Sequence, residues 1–304
     1  MTNIINDLYL IAGDGMKLHA LEAGPRDTTR LPVVCLPGLA RTNEDFRELI
    51  EALAFDAQHP RYVLALSSRG RGRSGRDPNP DHYSVPVELN DLLAVLAETG
   101  IERAIFFGTS RGGILTMALT AAKPQAIAGA VLNDIGPVLD VPGIVRIQSY
   151  VGKLPKPKDW NDAVRILKSV MEKEFPAFSE ADWLRYARLS WQETSEGITG
   201  RTDPQIAVNL GEIDTSKPIP AAWEFFDGLK TAPLLVFRGE HSDLFSRETV
   251  AAMQARHPDM AAIEVAGVGH PPVFWDESTI APVREFCLRC DPRLNERGKN
   301  YPLS

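Results

Sequence analysis

Short apolar runs alternate with amphipathic stretches over most of the chain. The runs Pro32–Leu36, Tyr62–Leu66 and Ala104–Phe107 carry almost no polar residues, which is typical of strands that are buried on both faces. Between these runs, apolar residues recur at helical spacing. Such an alternation of strands and helices predicts an α/β fold in which helices cover both faces of a mostly parallel sheet. Asp7–Ala12 and Lys17–Ala23 flank a glycine-rich turn and predict a β-hairpin that opens this sheet.

The alternation stops in the middle of the chain. Residues from about 137 to 229 contain no clear strand pattern, several helical patterns and four of the five tryptophans. We therefore predict that 137–229 is a helical lid inserted into an α/β core, which is made of residues 1–136 and 230–290. The polar segment 291–304 is expected to form a loose tail.

Composition excludes several classes of protein. The chain has 304 residues, is 44% hydrophobic and carries a net charge of −7, so it is neither disordered nor suited to bind nucleic acid or an anionic membrane. Cys35, Cys287 and Cys290 are too few for a disulfide framework, and we interpret the C-x-x-C pair as ordinary helix residues. No apolar stretch reaches the roughly 20 residues of a membrane span. We expect a cytoplasmic protein with a small-molecule substrate, and a homodimer is left open.

The most informative motif is Gly108-Thr109-Ser110-Arg111-Gly112, between a predicted strand and a predicted helix. A G-x-S-x-G turn in this context presents a nucleophilic serine at a sharp bend, near backbone N–H groups that favour negative charge. The alternative is a plain glycine turn. The flanking elements favour Ser110 as a nucleophile.

A serine nucleophile needs a base and an acid that orients it. His270 follows the last predicted strand on a glycine-rich loop, so it is the candidate base. For the acid we predict Asp243, in the loop after the strand Leu234–Phe237, with Glu240 as a weaker choice. Asp134, just after the strand Ala128–Leu132, is an alternative acid, unless it only caps local backbone N–H groups.

The order Ser110, acid, His270 on alternating strands and helices resembles the α/β-hydrolase superfamily of the Ser-Asp-His type, over nearly the whole chain. Pro37-Gly38-Leu39 is similar to the oxyanion loop of this family, with proline in place of the usual histidine. The resemblance implies that the N–H groups of Leu39 and Arg111 bind the oxyanion. It also implies that the inserted lid covers the site.

The basic segment Arg69-Gly70-Arg71-Gly72-Arg73-Ser74 is similar to a scaffold element of the same family, so we interpret it as structural. Its glycines match neither a phosphate-binding nor a dinucleotide-binding loop. No spacing of metal ligands is present. We therefore expect no cofactor and no metal.

Several side chains are candidates for substrate binding. The Arg111 side chain either pairs with a nearby acid or binds a substrate carboxylate. The tryptophans of the predicted lid either pack its helices or line a pocket for an apolar substrate; they are Trp160, Trp183, Trp191 and Trp223.

Together these features predict an eight-stranded, mostly parallel sheet with an inserted α-helical lid. The predicted activity is hydrolysis of a carboxylic ester or lactone through an acyl-serine intermediate. A carbon–carbon bond hydrolase, an amidase and a non-catalytic receptor for a small ligand are the alternatives on the same fold.

Overall fold

The computed structural model describes residues 3–292 and is built around one eight-stranded sheet in the order β1-β2-β4-β3-β5-β6-β9-β10. Strands β1 and β2 form the predicted hairpin, β2 is antiparallel to β4, and every later pairing in this sheet is parallel. The predicted fold class is therefore confirmed. The strands of the sheet are β1 (Asn6–Ile11), β2 (Lys17–Ala23), β3 (Val33–Leu36), β4 (Val63–Ser67), β5 (Ala104–Thr109), β6 (Ile127–Asn133), β9 (Leu234–Gly239) and β10 (Met260–Val265).

Helices cover both faces of the sheet, which explains why the central strands lack polar alternation. Every residue of β3, β4, β5, β6 and β9 is buried, and two separate apolar clusters lie on the two faces. The helices are α1 (Arg47–Ala54), α2 (Val85–Thr99), α3 (Arg111–Ala122), α4 (Val141–Tyr150), α5 (Trp160–Met171), α6 (Glu180–Ser190), α7 (Ala207–Gly211), α8 (Trp223–Asp227), α9 (Arg247–Arg256) and α10 (Glu277–Cys290).

Residues 137–229, called the insertion below, lie between β6 and β9 and contain α4 to α8. The expectation that this region holds no strand is wrong. A hairpin of β7 (Trp191–Thr194) and β8 (Gly197–Gly200) follows α6. Strands of four residues are too short to show an alternating pattern, and the turn depends on Gly197, whose φ is +92°.

The insertion has an apolar core of its own. Aromatic side chains from α6 and from the segment between α5 and α6 pack against aliphatic residues of α5, with Phe175, Phe178, Trp183 and Tyr186 in mutual contact. This second core lets the insertion hold its shape beside the sheet.

The end of the described chain is tied to the core. Asp291 accepts two hydrogen bonds of 2.9 Å from the buried Arg61 and one of 3.0 Å from the Leu31 N–H. The predicted loose tail was therefore wrong at Asp291, while 293–304 lie outside the described residues. Burial raises the pKa of the Cys287 thiol to about 12, and Cys35 is buried as well, which supports their interpretation as packing residues.

Candidate active site

Ser110 lies at the tip of the turn between β5 and α3, as predicted. Its φ of +49° is in a region that non-glycine residues rarely adopt. The two glycines of the motif permit this turn. A Cβ on Gly108 would collide with the backbone of Gly112, and a Cβ on Gly112 would overlap the Leu36 carbonyl oxygen. The motif therefore places the serine hydroxyl above the carboxyl ends of the central strands.

His270 and Ser110 are brought together from distant parts of the chain. His270 Nε2 lies 3.0 Å from Ser110 Oγ, and His270 Nδ1 lies 2.7 Å from Asp134 Oδ2. The imidazole is almost completely buried. The three side chains thus form one hydrogen-bonded chain from hydroxyl to imidazole to carboxylate.

Asp134 follows β6 directly and is fully buried, with a φ of +52°. Its Oδ1 accepts a hydrogen bond of 2.7 Å from the Gly239 N–H, and its Oδ2 accepts one of 2.6 Å from the Ser242 hydroxyl. These donors fix the orientation of the carboxylate toward the imidazole.

Asp243, the acid predicted from the sequence, does not contact His270. Its two carboxylate oxygens each lie 2.7 Å from the guanidinium of Arg146, on α4 of the insertion. The prediction of an Asp243–His270 pair was wrong because the imidazole is already occupied by Asp134 and Asp243 is drawn to the insertion. The weaker choice, Glu240, accepts from the Gly267 N–H at 2.8 Å and is not at the imidazole either.

The loop Pro37–Leu39 lies beside the serine. A Cβ built on Gly38 would be 3.8 Å from Ser110 Cβ. Within residues 3–292, neither the Leu39 N–H nor the Arg111 N–H donates a hydrogen bond to another protein group. Both donors are therefore free to bind an oxygen atom of a ligand next to Ser110.

A cavity of about 660 Å³ opens over Ser110 and His270. The insertion contributes most of its walls. Its apolar lining includes Ile147, Val151, Leu154, Leu167, Val170, Met171 and Trp191. Its polar lining includes Tyr150, Tyr186, Thr194, Thr199 and Thr202, and the cations Arg41, Arg76 and Lys156 also reach it.

Of the four tryptophans predicted as substrate contacts, Trp191 alone lines this cavity. Trp183 is buried in the core of the insertion. Trp160 lies against Arg188, and Trp223 packs on Phe226. The sequence does not separate these roles, because the packing Trp183 and the lining Trp191 both stand next to polar residues in the chain.

The Arg111 side chain points away from the cavity. Its Nε donates to Glu88 at 2.8 Å, and Glu88 also accepts from Arg71 at 2.7 Å. Burial opposes ionisation of Glu88, but the two guanidiniums hold its pKa below the usual range. Of the two roles predicted for the Arg111 side chain, the structure therefore supports the one in which it pairs with a nearby acid.

The basic loop is likewise neutralised by carboxylates. Arg69 is buried and donates to Asp14, Asp77 and Asp91 over distances of 2.5–2.8 Å. Asp14 and Asp77 also lie near His82, a set of ligand types that the sequence spacing did not indicate. The Arg69 guanidinium already binds both carboxylates, so a metal ion would have to compete with Arg69 for them.

Glu174 is a further residue at the site that the sequence analysis missed. It follows α5, is buried, and its Oε2 accepts a hydrogen bond of 2.7 Å from the His270 N–H. One signal was present: Met171, Glu174 and Phe175 share the i, i+3, i+4 spacing of an apolar helix face. A carboxylate on such a face is unusual and needs a partner.

Among residues 3–292, no helix has the length and apolar character needed to cross a membrane. A family model described as the α/β-hydrolase fold matches residues 32–277. The chain is 33% identical over 262 residues to a 3-hydroxybutyrate-oligomer hydrolase of Cupriavidus necator. The aligned region covers 84% of this chain and 87% of that protein.

Solved structures agree with this match. An α/β hydrolase of Novosphingobium aromaticivorans superposes with a TM-score of 0.84 at 37% identity, covering 95% of this chain and 100% of that one. An esterase of Rhodococcus shares the fold, with a TM-score of 0.65 at 21% identity over 93% of this chain and 98% of that one. Sheet order, serine turn and sequence similarity lead to one conclusion: the chain belongs to the α/β-hydrolase superfamily and is a hydrolase.

Proposed function

We propose that this hydrolase cleaves carboxylic esters through an acyl-serine intermediate on Ser110. The observation that carries the proposal is the hydrogen-bonded chain from Ser110 Oγ through His270 to Asp134, at the floor of a cavity. In this reaction His270 Nε2 removes the proton of Ser110, and Oγ attacks the ester carbonyl carbon. The protonated imidazole then donates that proton to the departing alkoxide, which leaves as the alcohol.

The second half of the reaction repeats these steps with water. His270 takes a proton from a water molecule, the resulting hydroxide attacks the acyl carbon, and Ser110 Oγ leaves and regains its proton. Asp134 keeps the Nδ1 proton of the imidazole in place throughout. The N–H groups of Leu39 and Arg111 stabilise the oxyanion of both tetrahedral intermediates.

The insertion acts as the cap of the site in this proposal, with residues 1–136 and 230–290 as the catalytic core. Support comes from the cavity walls, since most of them are residues of the insertion. Such a cap excludes water from the nucleophile and selects the acyl group by shape. A cytoplasmic location stays a prediction that rests on composition.

For the substrate we propose an ester of a short hydroxy acid, such as a 3-hydroxybutyrate oligomer. The relative from Cupriavidus necator is named for that substrate, and the cavity has matching chemistry. Oligoesters of this kind alternate small apolar groups with carbonyl oxygens. Apolar side chains of α4 and α5 line the same cavity as the hydroxyls of Tyr150, Thr194 and Thr199, and this mixed lining suits such an alternation. A lactone presents the same ester group in a ring.

The test combines labelling with a substrate panel. We expect a fluorophosphonate to modify Ser110, identified by peptide mass spectrometry, and Ser110→Ala to lower kcat by about 10⁴-fold or more. Ser169→Ala is the matched control, since Ser169 is exposed and bonds only within its own helix. The panel compares 3-hydroxybutyrate dimer, a simple acetate ester, a lactone, the matched amide and a vinylogous diketone. Retention of more than about a tenth of kcat in Ser110→Ala rejects the nucleophile, and turnover of only the amide or the diketone rejects ester hydrolysis.

A further inference from the structure

Glu174 joins the insertion to the loop that carries His270. Its side-chain Oε2 accepts the His270 N–H at 2.7 Å, and its own carbonyl oxygen accepts the Gly269 N–H at 2.6 Å. One residue of the insertion therefore holds two consecutive backbone N–H groups of the histidine loop. Glu174 as a whole is only 5% exposed, so water does not compete for these bonds.

The histidine loop is shaped to receive this residue. A Cβ on Gly269 would collide with Glu174 Oε2, so any other amino acid at 269 would push the carboxylate away. The Oε1 atom faces Arg146, whose Nε lies 3.3 Å away. Arg146 in turn binds Asp243, the residue after Ser242, and the Ser242 hydroxyl donates to Asp134. The insertion thus contacts both loops that support the imidazole.

Burial of a carboxylate costs free energy, because the charged group loses its contacts with water. Burial raises the pKa of Glu174, while the His270 N–H and the Arg146 guanidinium oppose the rise. Replacement of such a buried ionic contact by well-packed apolar side chains is often neutral or stabilising. Stability alone therefore does not explain a glutamate here, whereas a need to hold the histidine backbone at one position does.

We propose that Glu174 is a positioning residue for His270, which sets the distance between His270 Nε2 and Ser110 Oγ by holding the histidine backbone from the insertion. This inference rests on the proposed acyl-serine mechanism and adds to it a role for the insertion in catalysis. Misplacement of a catalytic group by about 1 Å lowers rate by about 10²-fold. Loss of the clamp should then slow proton transfer and leave substrate binding nearly unchanged.

The test compares Glu174→Gln with Glu174→Met. Both keep the side-chain length, but only glutamine keeps an oxygen that accepts the His270 N–H. We expect Glu174→Met to lower kcat by about 10- to 100-fold with KM within about threefold, and Glu174→Gln to recover most of that loss. Glu172→Ala, an exposed glutamate two residues earlier, is the matched control and should behave as wild type.

Labelling of Ser110 by a fluorophosphonate gives a second readout that needs no known substrate. The rate of Ser110 labelling should be lower in Glu174→Met than in the wild type and close to the wild-type rate in Glu174→Gln. The far-UV circular dichroism spectra of both variants should match the wild type. If Glu174→Met does not fold, Glu174→Ala takes its place with the same expectations. Wild-type rates in the acceptor-free variants, or a glutamine variant as slow as them, overturn the inference. A wild-type protein that turns over no ester and takes up no label overturns the proposed function instead.

Discussion

Two loops at the same edge of the sheet each carry an aspartate, and only one of the two aspartates contacts His270. Asp134 follows β6 and Asp243 follows β9, which are neighbouring parallel strands paired through Asn133 and Phe237. Asp134 is fully buried and accepts hydrogen bonds from an imidazole, a hydroxyl and an N–H group. Asp243 is 27% exposed and is paired with Arg146.

The difference shows that strand order limits the acidic partner of His270 to two candidate loops but does not determine which loop supplies it. Adjacent parallel strands end at the same edge of a sheet, so either loop lies within reach of the imidazole. The choice depends on the donors around each carboxylate. Gly239, the last residue of β9, and Ser242, in the loop after it, both donate to Asp134 at the end of the neighbouring strand. The loop at the end of β9 thus supports the acid instead of supplying it, and its own aspartate holds the insertion.

The largest expected effect on kcat comes from replacing each of the two aspartates by asparagine and comparing the results. Asp134→Asn should lower kcat by about 10⁴-fold with the fold intact, because an amide no longer holds the imidazole in the productive tautomer. Asp243→Asn should lower kcat by less than about tenfold, since its partner Arg146 keeps a second carboxylate in Glu174. Steady-state kinetics on one ester substrate measures both losses of kcat. A larger loss in Asp243→Asn than in Asp134→Asn would indicate that the acidic partner of His270 lies in the loop after β9.

A smaller effect tests the support that Asp134 receives. Ser242→Ala removes a hydroxyl that donates to the same oxygen, Asp134 Oδ2, as the imidazole does. A hydrogen bond to a charged group contributes about 1.5–3 kcal/mol, and about 1.4 kcal/mol is tenfold in rate, so we expect kcat to fall by about 10- to 100-fold with little change in KM. Ser169→Ala serves again as the control. An unchanged kcat in Ser242→Ala would mean that the orientation of Asp134 does not depend on this loop.

The sequence was sufficient where local geometry demands particular residues. The serine turn needs Gly108 and Gly112 because of backbone contacts that no side chain allows, so its motif is visible in a single sequence. The buried strands were equally visible, because a strand covered on both faces has no polar alternation. His270 was identified for a related reason, since its loop follows the last strand of the sheet.

The acid was not predictable in this way, because its identity depends on side-chain directions set by distant residues. Arg146 lies 97 residues before Asp243 and draws it to the insertion. Asp134 reaches the imidazole with a positive φ that its sequence neighbours do not signal. Glu174 belongs to the same class, because the N–H group that it accepts from lies 96 residues later in the chain. The hairpin β7–β8 was missed because its strands have only four residues each.

The pairing of His270 with Asp134 is best tested on the proton of His270 Nδ1. A hydrogen bond of 2.7 Å between this atom and a buried carboxylate should shift the proton far downfield in a one-dimensional ¹H NMR spectrum and protect it from exchange with water. We expect the resonance to be present in the wild type, to be retained in Asp243→Asn, and to be lost or moved strongly upfield in Asp134→Asn. A resonance that survives in Asp134→Asn and disappears in Asp243→Asn would mean that Asp134 is not the partner of His270.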